Sequence, residues 1–209
     1  MKLCCISDLH GHLPALPDAD VLVIAGDICP VENHKLYYQQ WWLDTVFRKW
    51  LPDMPVVAIW GNHDWIGEHL EMVPDLPWHL LTDQSVDIDG IRFYGTPWQR
   101  EFCSWAFNLT EAELAIKYAA IPGCDVLVSH VPPLGYGDNG LGSPSLTEAI
   151  RRLRIPLTIC GHIHEGYGRF EDSGLTIVNA SVRDEKYRVV NSPIVVEVRT
   201  AKPGATPTH

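Results

Sequence analysis

Apolar positions follow two rhythms along this chain. Five short runs are continuously apolar and rich in branched side chains: residues 3–6, 21–25, 56–60, 126–128 and 157–160. Unbroken apolar character, rather than alternation, marks strands that are covered on both faces. A second set of runs pairs up around turn residues. Residues 85–88 and 91–94 flank Asp89-Gly90, a two-residue hairpin signal. Residues 167–171 and 175–180 flank a turn at 172–174, and 194–198 offers a further strand.

Helices are predicted in the intervals. Between 33 and 51, Leu36, Trp41, Leu43, Phe47 and Trp50 recur at near-helical spacing, and Pro52 ends the run. Thr110 and Glu113 form a capping-box pattern that predicts a helix to about residue 120. Ser145 and Glu148 repeat that pattern, for a helix ending near Arg154. Strands interleaved with helices predict an α/β layered sandwich with two sheets. The chain has 209 residues and no visible repeat or linker, so one domain over 1–199 is expected. Residues 200–209, rich in Pro, Gly, Ala and Thr, read as a disordered tail.

Composition narrows the function. The net charge is -10, which disfavours a long nucleic-acid groove. A small phosphate ester stays compatible, because bound dications would reverse the local field. The segment after Met1-Lys2 enters a strand directly, without a secretory h-region, and no apolar run reaches the ~20 residues of a membrane span. A cytoplasmic protein without membrane contact is expected. The six cysteines include no CxxC pair and read as buried thiols rather than disulfides. Eight tryptophans imply an aromatic core or an aromatic-walled cleft. Trp98, Trp105 and Phe107 suit either stacking on a nucleobase or packing; Phe107 is assigned to the core, and Trp98 is kept as a candidate substrate contact.

The candidate chemistry sits where the apolar runs stop. Asp8 and His10 follow the first run, Asp27 the second, and Asn62, His63 and Asp64 the third. His130 follows the fourth, and His162 and His164 the fifth. Ligand sites of open α/β sheets lie at the carboxyl ends of strands. Imidazole and carboxylate together suit zinc, manganese and iron. A carboxylate can bridge two cations, and Asp27 is the natural candidate. Two metals ~3.5–4 Å apart clamp a phosphoryl group and generate hydroxide near neutral pH. Singly, each of these residues reads as a turn former or an ordinary histidine; seven metal-compatible residues at five strand ends do not. His12 reads as a loop residue or a donor behind the ligands, Cys29 as a small buried residue, and His34, His69 and His79 as surface residues. Asn108 and Asn179 are polar residues that sequence alone does not place.

Asp8-Leu9-His10, Gly26-Asp27, Gly61-Asn62-His63-Asp64, the lone His130 and Gly161-His162-Ile163-His164 resemble, in order and spacing, the five motifs of the calcineurin-like metallophosphoesterases. The stretches around Gly95-Thr96-Pro97-Trp98, Phe102 to Asn108, His130 to Gly135 and Gly161 to Gly168 are similar to the small metallophosphoesterase-domain-containing proteins. The resemblance implies a four-layer α-β-β-α sandwich with two mixed sheets. It implies two divalent or mixed-valence ions (Mn, Fe or Zn), one held by Asp8, His10, Asp27 and His164, the other by Asp27, Asn62, His130 and His162. A bridging hydroxide would attack phosphorus, with His63 stabilising charge and protonating the leaving oxygen. The implied activity is hydrolysis of small phosphodiesters, cyclic nucleotides included, with Asn62, His63 and Trp98 at the substrate. The alternatives are a phosphomonoesterase or nuclease, or a catalytically silent protein-binding scaffold on this fold. One departure stands out: Asp27 is followed by Ile28-Cys29-Pro30, so the Asp-Arg-Gly of protein serine/threonine phosphatases is missing. That weighs against phosphoprotein substrates and leaves the partner of His63 unassigned.

Overall fold

The computed structural model describes residues 1–199, so the expected tail at 200–209 lies outside the described residues. Two mixed sheets form its centre. The first carries β1 (Lys2–Ile6), β2 (Val21–Ala25), β3 (Val56–Ile59) and β4 (His79–Leu80) in parallel, with β13 (Ile194–Glu197) antiparallel at the β1 edge. The second has β6 (Ile91–Thr96), β9 (Val126–Ser129), β10 (Leu157–Cys160) and β12 (Leu175–Asn179) in parallel. Its antiparallel edges are β5 (Gln84–Ile88) and β11 (Gly168–Asp172). A small ladder pairs β7 (Gln99–Arg100) with β8 (Asn108–Leu109).

Alternate residues of each strand face opposite layers. Cys5, Val23, Val57 and Ile59 meet Phe93, Val128, Ile159 and Val178 between the sheets. Ile6, Ile24 and Trp60 point outward under Trp42, Leu43 and Phe47. Leu127, Cys160 and Ile177 point outward under Leu114, Tyr118, Leu146 and Ile150. Both faces of the central strands are therefore dry, which is why their sequences are unbroken apolar runs. Each such side chain contributes about 1.5–3 kcal/mol by burial. The result is the expected four-layer α-β-β-α sandwich.

The helices depart from expectation in two places. α1 (Leu36–Trp42) passes through a π-helical segment (Leu43–Phe47) into α2 (Arg48–Trp50). Trp42 is in the core beside Gln39 and Leu43, while Trp41, on the other side of the helix, is exposed. α3 (Glu111–Ala119) starts at the expected capping box on Thr110. α4 (Pro144–Leu153) starts two residues earlier than predicted. Ser143 is its N-cap, accepting from the Leu146 N–H, and Pro144 fills the first turn, where no N–H is needed.

The carboxyl ends of β1, β2, β3, β9 and β10 meet along one edge. Ser7 and Ser181 form a parallel bridge there, and the Ser7 N–H donates to Ala180 at 2.9 Å, tying the end of β1 to the segment after β12.

Candidate dinuclear metal centre

Every ligand candidate lies at this edge. The first sheet supplies Asp8, His10, Asp27 and Asn62 from the loops after β1, β2 and β3. The second supplies His130, His162 and His164 from the loops after β9 and β10. The backbone bends sharply to aim them: Asp8, His10, Asp27 and His162 all have φ between 45° and 66°. Non-glycine residues in the left-handed region cost roughly 1–2 kcal/mol each, and such strain gathers at functional sites. Gly61 and Gly161 permit the close approach. A Cβ on Gly61 would overlap the Asp27 carboxylate, and one on Gly161 would overlap Ser7 and Asp8.

Two groups of donor atoms converge: Asp8, His10 and His164, and Asp8, Asp27 and His130, each group within 4.8 Å. Asp27 Oδ2 lies 3.5 Å from both His10 Nε2 and His130 Nε2, so it stands between the two halves of the site. His164 Nε2 lies 3.4 Å from Asp8 Oδ1. Hydrogen bonds fix the ring orientations. His130 Nδ1–H donates to the Ala25 carbonyl at 2.8 Å, and His164 Nδ1–H to the Asp184 carbonyl at 2.9 Å. Each Nε2 is thereby turned inward, the arrangement of metal-ligating histidines.

The chemistry of this donor set fits cations. His130 Nε2 faces Asn62 Oδ1 at 2.9 Å and Asp27 Oδ2, a convergence of lone pairs that needs a positive charge among them. Among the described residues, both ring nitrogens of the buried His10, and Asn62 Nδ2, have no hydrogen-bond partner. Asp8 and Asp27 are fully or almost fully buried, and among the described residues no Lys or Arg pairs with either. Buried carboxylates without compensation are strongly unfavourable, so this set calls for dications.

Titration follows the same logic. Burial opposes charge on Asp8, but the hydrogen bond and charge of His164, then His130, outweigh it and hold the carboxylate below its usual range. Burial also opposes charge on Asp27, where His130 and His10 prevail and hold it well down. Burial pushes His10 down to about 3, and it pushes His162 to about 3 with help from the charge on His130. For His130 burial is outweighed by Asp27, and the ring rises to about 9. The picture is ionised carboxylates with His10 and His162 held neutral by burial, while His130 and His164 are drawn, against burial, towards their protonated forms by the carboxylates, where cations are due.

His63 is buried beside this group. Its N–H donates to Asp27 Oδ1 at 2.8 Å, and its carbonyl accepts from Gln39 Nε2 at 2.7 Å. Its ring is 4.9 Å from His10 and 4.5 Å from Trp105, and its Nδ1 has no partner. Burial lowers its basicity. Asp64 is occupied elsewhere than at that ring. Its carboxylate accepts from the N–H groups of Ile28, Cys29 and Gly61 at 2.8–3.1 Å, clamping the Asp27 loop to the Asn62 loop.

Several residues sit differently from expectation. Trp98 does not line the cleft: its Nε1 donates to Asp83 at 2.8 Å, Lys117 Nζ lies 4.2 Å over its ring, and it packs against Phe107. The cleft aromatics are instead Phe102, Trp105 and Tyr187. His34 is exposed, as expected, though its ring lies 5.7 Å from His63 and 4.3 Å from Trp65. Asn179 braces the loop after β10, donating to Ile163 and Gly137 carbonyls at 2.8 and 3.0 Å. Asn108 donates to Phe102 and Cys103 carbonyls and so shapes the loop that carries Trp105. Cys29 is buried, as expected. Arg183, Asp184 and Tyr187 give no sequence signal, because they sit near the end of the chain and reach the site only through the bridge at Ser181.

Relatives agree with this geometry. Metallophosphoesterase domain-containing protein 1 of Homo sapiens is 33% identical, over 96% of this chain and 72% of its own length. A UPF0046 protein of Caenorhabditis elegans is 31% identical, over 95% of this chain and 60% of its own. The structure of GAP50, the anchor in the inner membrane complex of Plasmodium, shares the fold at a TM-score of 0.51 and 13% identity, over 87% of this chain and 71% of its own. Residues 1–166 match the calcineurin-like phosphoesterases, and with the buried donor set in place the chain belongs to that family of metal-dependent phosphoester hydrolases.

Proposed function

We propose that the protein hydrolyses small phosphodiesters, cyclic nucleotides among them, with two cations at the strand-end edge. Asp8, His10, Asp27 and His164 would hold one, and Asp27, Asn62, His130 and His162 the other. Bound there, the metal pair supplies an activated water as nucleophile and positive charge for the phosphoryl oxygens. Manganese suits this mixed nitrogen and oxygen set, as do iron and zinc. Asp27 orients His63 through its backbone N–H, and Gln39 donates to the carbonyl of the same residue, so both peptides flanking His63 are held. The His63 ring then presents an N–H to the phosphoryl and leaving oxygens, stabilising charge as the ester bond breaks and protonating the departing alkoxide.

The observation that carries the diester reading is the cleft above the site. It encloses about 610 Å³ and is walled by Phe102, Trp105, Leu141 and Tyr187. Glu101, Glu165 and Glu185 line it as well, against a single cation, Arg100. The excess of carboxylates disfavours a dianionic monoester more than a monoanionic diester, and it repels a polynucleotide. Free thiols throughout suit a reducing cytoplasm. A silent scaffold is the less favoured reading, since none of the seven ligand candidates nor His63 is lost.

The test is a substrate panel on manganese-loaded protein: a cyclic nucleotide, a linear dinucleotide, an aryl phosphodiester and an aryl monoester. Diester hydrolysis above monoester hydrolysis is expected. Two bound metals without hydrolysis of any ester would leave the scaffold reading; monoester preference would remove the diester reading. His63→Ala should keep both metals while turnover falls about 10²–10⁴-fold.

A further inference from the structure

The segment after β12 lies beyond the residues matched by the family, yet it closes one side of the site. Arg183 donates through Nε and Nη2 to the Leu9 carbonyl at 3.2 and 2.8 Å, and to His10 at 3.1 Å. It also donates to the Tyr187 carbonyl. Asp184 builds the turn: its carboxylate accepts from the N–H groups of Lys186 and Arg188, both at 2.9 Å, and from Arg188 Nε at 2.7 Å. The Tyr187 N–H donates to the Asp184 carbonyl at 2.9 Å, and Tyr187 itself is held at φ 58°. An aromatic residue in that region is uncommon, and here the hydrogen bonds of Arg183, Asp184 and their partners over-determine it.

The purpose of this turn is to set one ring. The Tyr187 centroid is 5.0 Å from His10, 4.9 Å from His164 and 6.4 Å from His63. Trp105 is on the His63 side, at 4.5 Å. Tyr187 is 40% exposed and lines the cleft, so it is open to a ligand there. The two aromatics therefore flank the place where an ester would sit, each beside a different part of the centre.

We infer that Tyr187 is a specificity-determining residue that stacks on the non-leaving substituent of a phosphodiester, held in place by Arg183 and Asp184. This rests on the phosphodiesterase reading above. His63 marks the leaving-group side, with Trp105 as its neighbour. The nucleophile takes the position in line with the leaving oxygen, so the retained group projects sideways from phosphorus, and Tyr187, nearer His10 and His164 than His63, is the ring placed to meet it. A monoester has no such group, so the turn adds recognition that only diesters use.

The experiment compares bis(p-nitrophenyl) phosphate with methyl p-nitrophenyl phosphate on the manganese-loaded enzyme. Both lose the same leaving group and carry the same charge; they differ in an aryl against a methyl retained group. In Tyr187→Ala the aryl-to-methyl ratio of kcat/KM should fall about 3- to 10-fold, through KM, as expected for loss of one aromatic contact. Tyr187→Phe should keep the wild-type ratio. Metal content of both variants, measured by elemental analysis, should match wild type. A ratio unchanged in Tyr187→Ala, or lowered equally in Tyr187→Phe, overturns the inference. Should the wild-type enzyme cleave neither diester, the phosphodiesterase reading itself fails, which is a different result.

Discussion

Replacing Asp64 tests how the two ligand loops are joined. Asp64 is fully buried, and its carboxylate accepts from three backbone N–H groups, those of Ile28, Cys29 and Gly61. Asp64→Ala leaves all three donors without a partner, in a space too enclosed for easy hydration. Each buried donor left unsatisfied costs about 1–3 kcal/mol, so the sum is about 3–9 kcal/mol. Asp64→Asn has the same shape and retains one acceptor oxygen. It sets an amide –NH2 against one of the donors, costing about 1–3 kcal/mol. For a chain of this size each kcal/mol lowers Tm by about 2–4 °C. Calorimetry on manganese-saturated protein should therefore show Asp64→Ala at least ~6 °C below wild type, with Asp64→Asn between. Manganese titration should show weaker binding in Asp64→Ala, because the Asp27 and Asn62 loops are no longer fastened. A Tm for Asp64→Ala within ~2 °C of wild type, with unchanged metal affinity, would refute the clamp.

Other outcomes follow from the same geometry. In metal-free protein, burial and then the charge of Asp27 raise the Asp64 carboxyl from 3.8 to about 7, with only partial relief from the N–H groups of Cys29, Gly61 and Ile28. The folded state then binds this proton more tightly than the unfolded chain. Its contribution, on the order of 4 kcal/mol, is complete below the unfolded value of 3.8 and lost as pH rises through about 7. Urea melts of metal-free wild type and Asp64→Asn at pH ~5 and ~8 should show the flatter pH dependence in the variant; parallel slopes would count against it. Asp27→Ala should abolish the manganese-induced rise in Tm, because its carboxylate faces both halves of the site; a retained rise of wild-type size would contradict that. Trp98→Ala should cost about 3–5 kcal/mol of stability while leaving KM for an aryl diester near wild type, and a selective rise in KM would return Trp98 to the substrate.

Much of the site was legible because each ligand follows a strand whose unbroken apolar run announces burial on both faces. Val21–Ala25 and Leu157–Cys160 begin and end where the sequence places them. Such runs end when the chain leaves the sheet, and a polar residue at that point needs a reason to be there. What was not legible depends on contacts distant in sequence. The π turn at Leu43–Phe47 has no marker in periodicity, and of two adjacent tryptophans it is Trp42, beside Gln39 and Leu43, that is buried rather than Trp41. Ser143 was overlooked in favour of Ser145, although Pro144 favours a helix that starts at itself. Trp98 and Trp105 are equivalent as letters; Asp83 and Lys117 draw one into the packing, while the loop braced by Asn108 presents the other to the cleft. Tyr187 and His34 reach His63 only through tertiary folding.

The ligand candidates come from both sheets, joined there by side-chain packing, the Ser7–Ser181 bridge and hydrogen bonds from His130 to the Ala25 carbonyl and from the His162 N–H to Asp8. A pair of cations there acts as a rivet through two plates. Loss of metal and sliding of one sheet over the other become linked motions, so amide exchange in β2 and in β10 should slow together when metal is added.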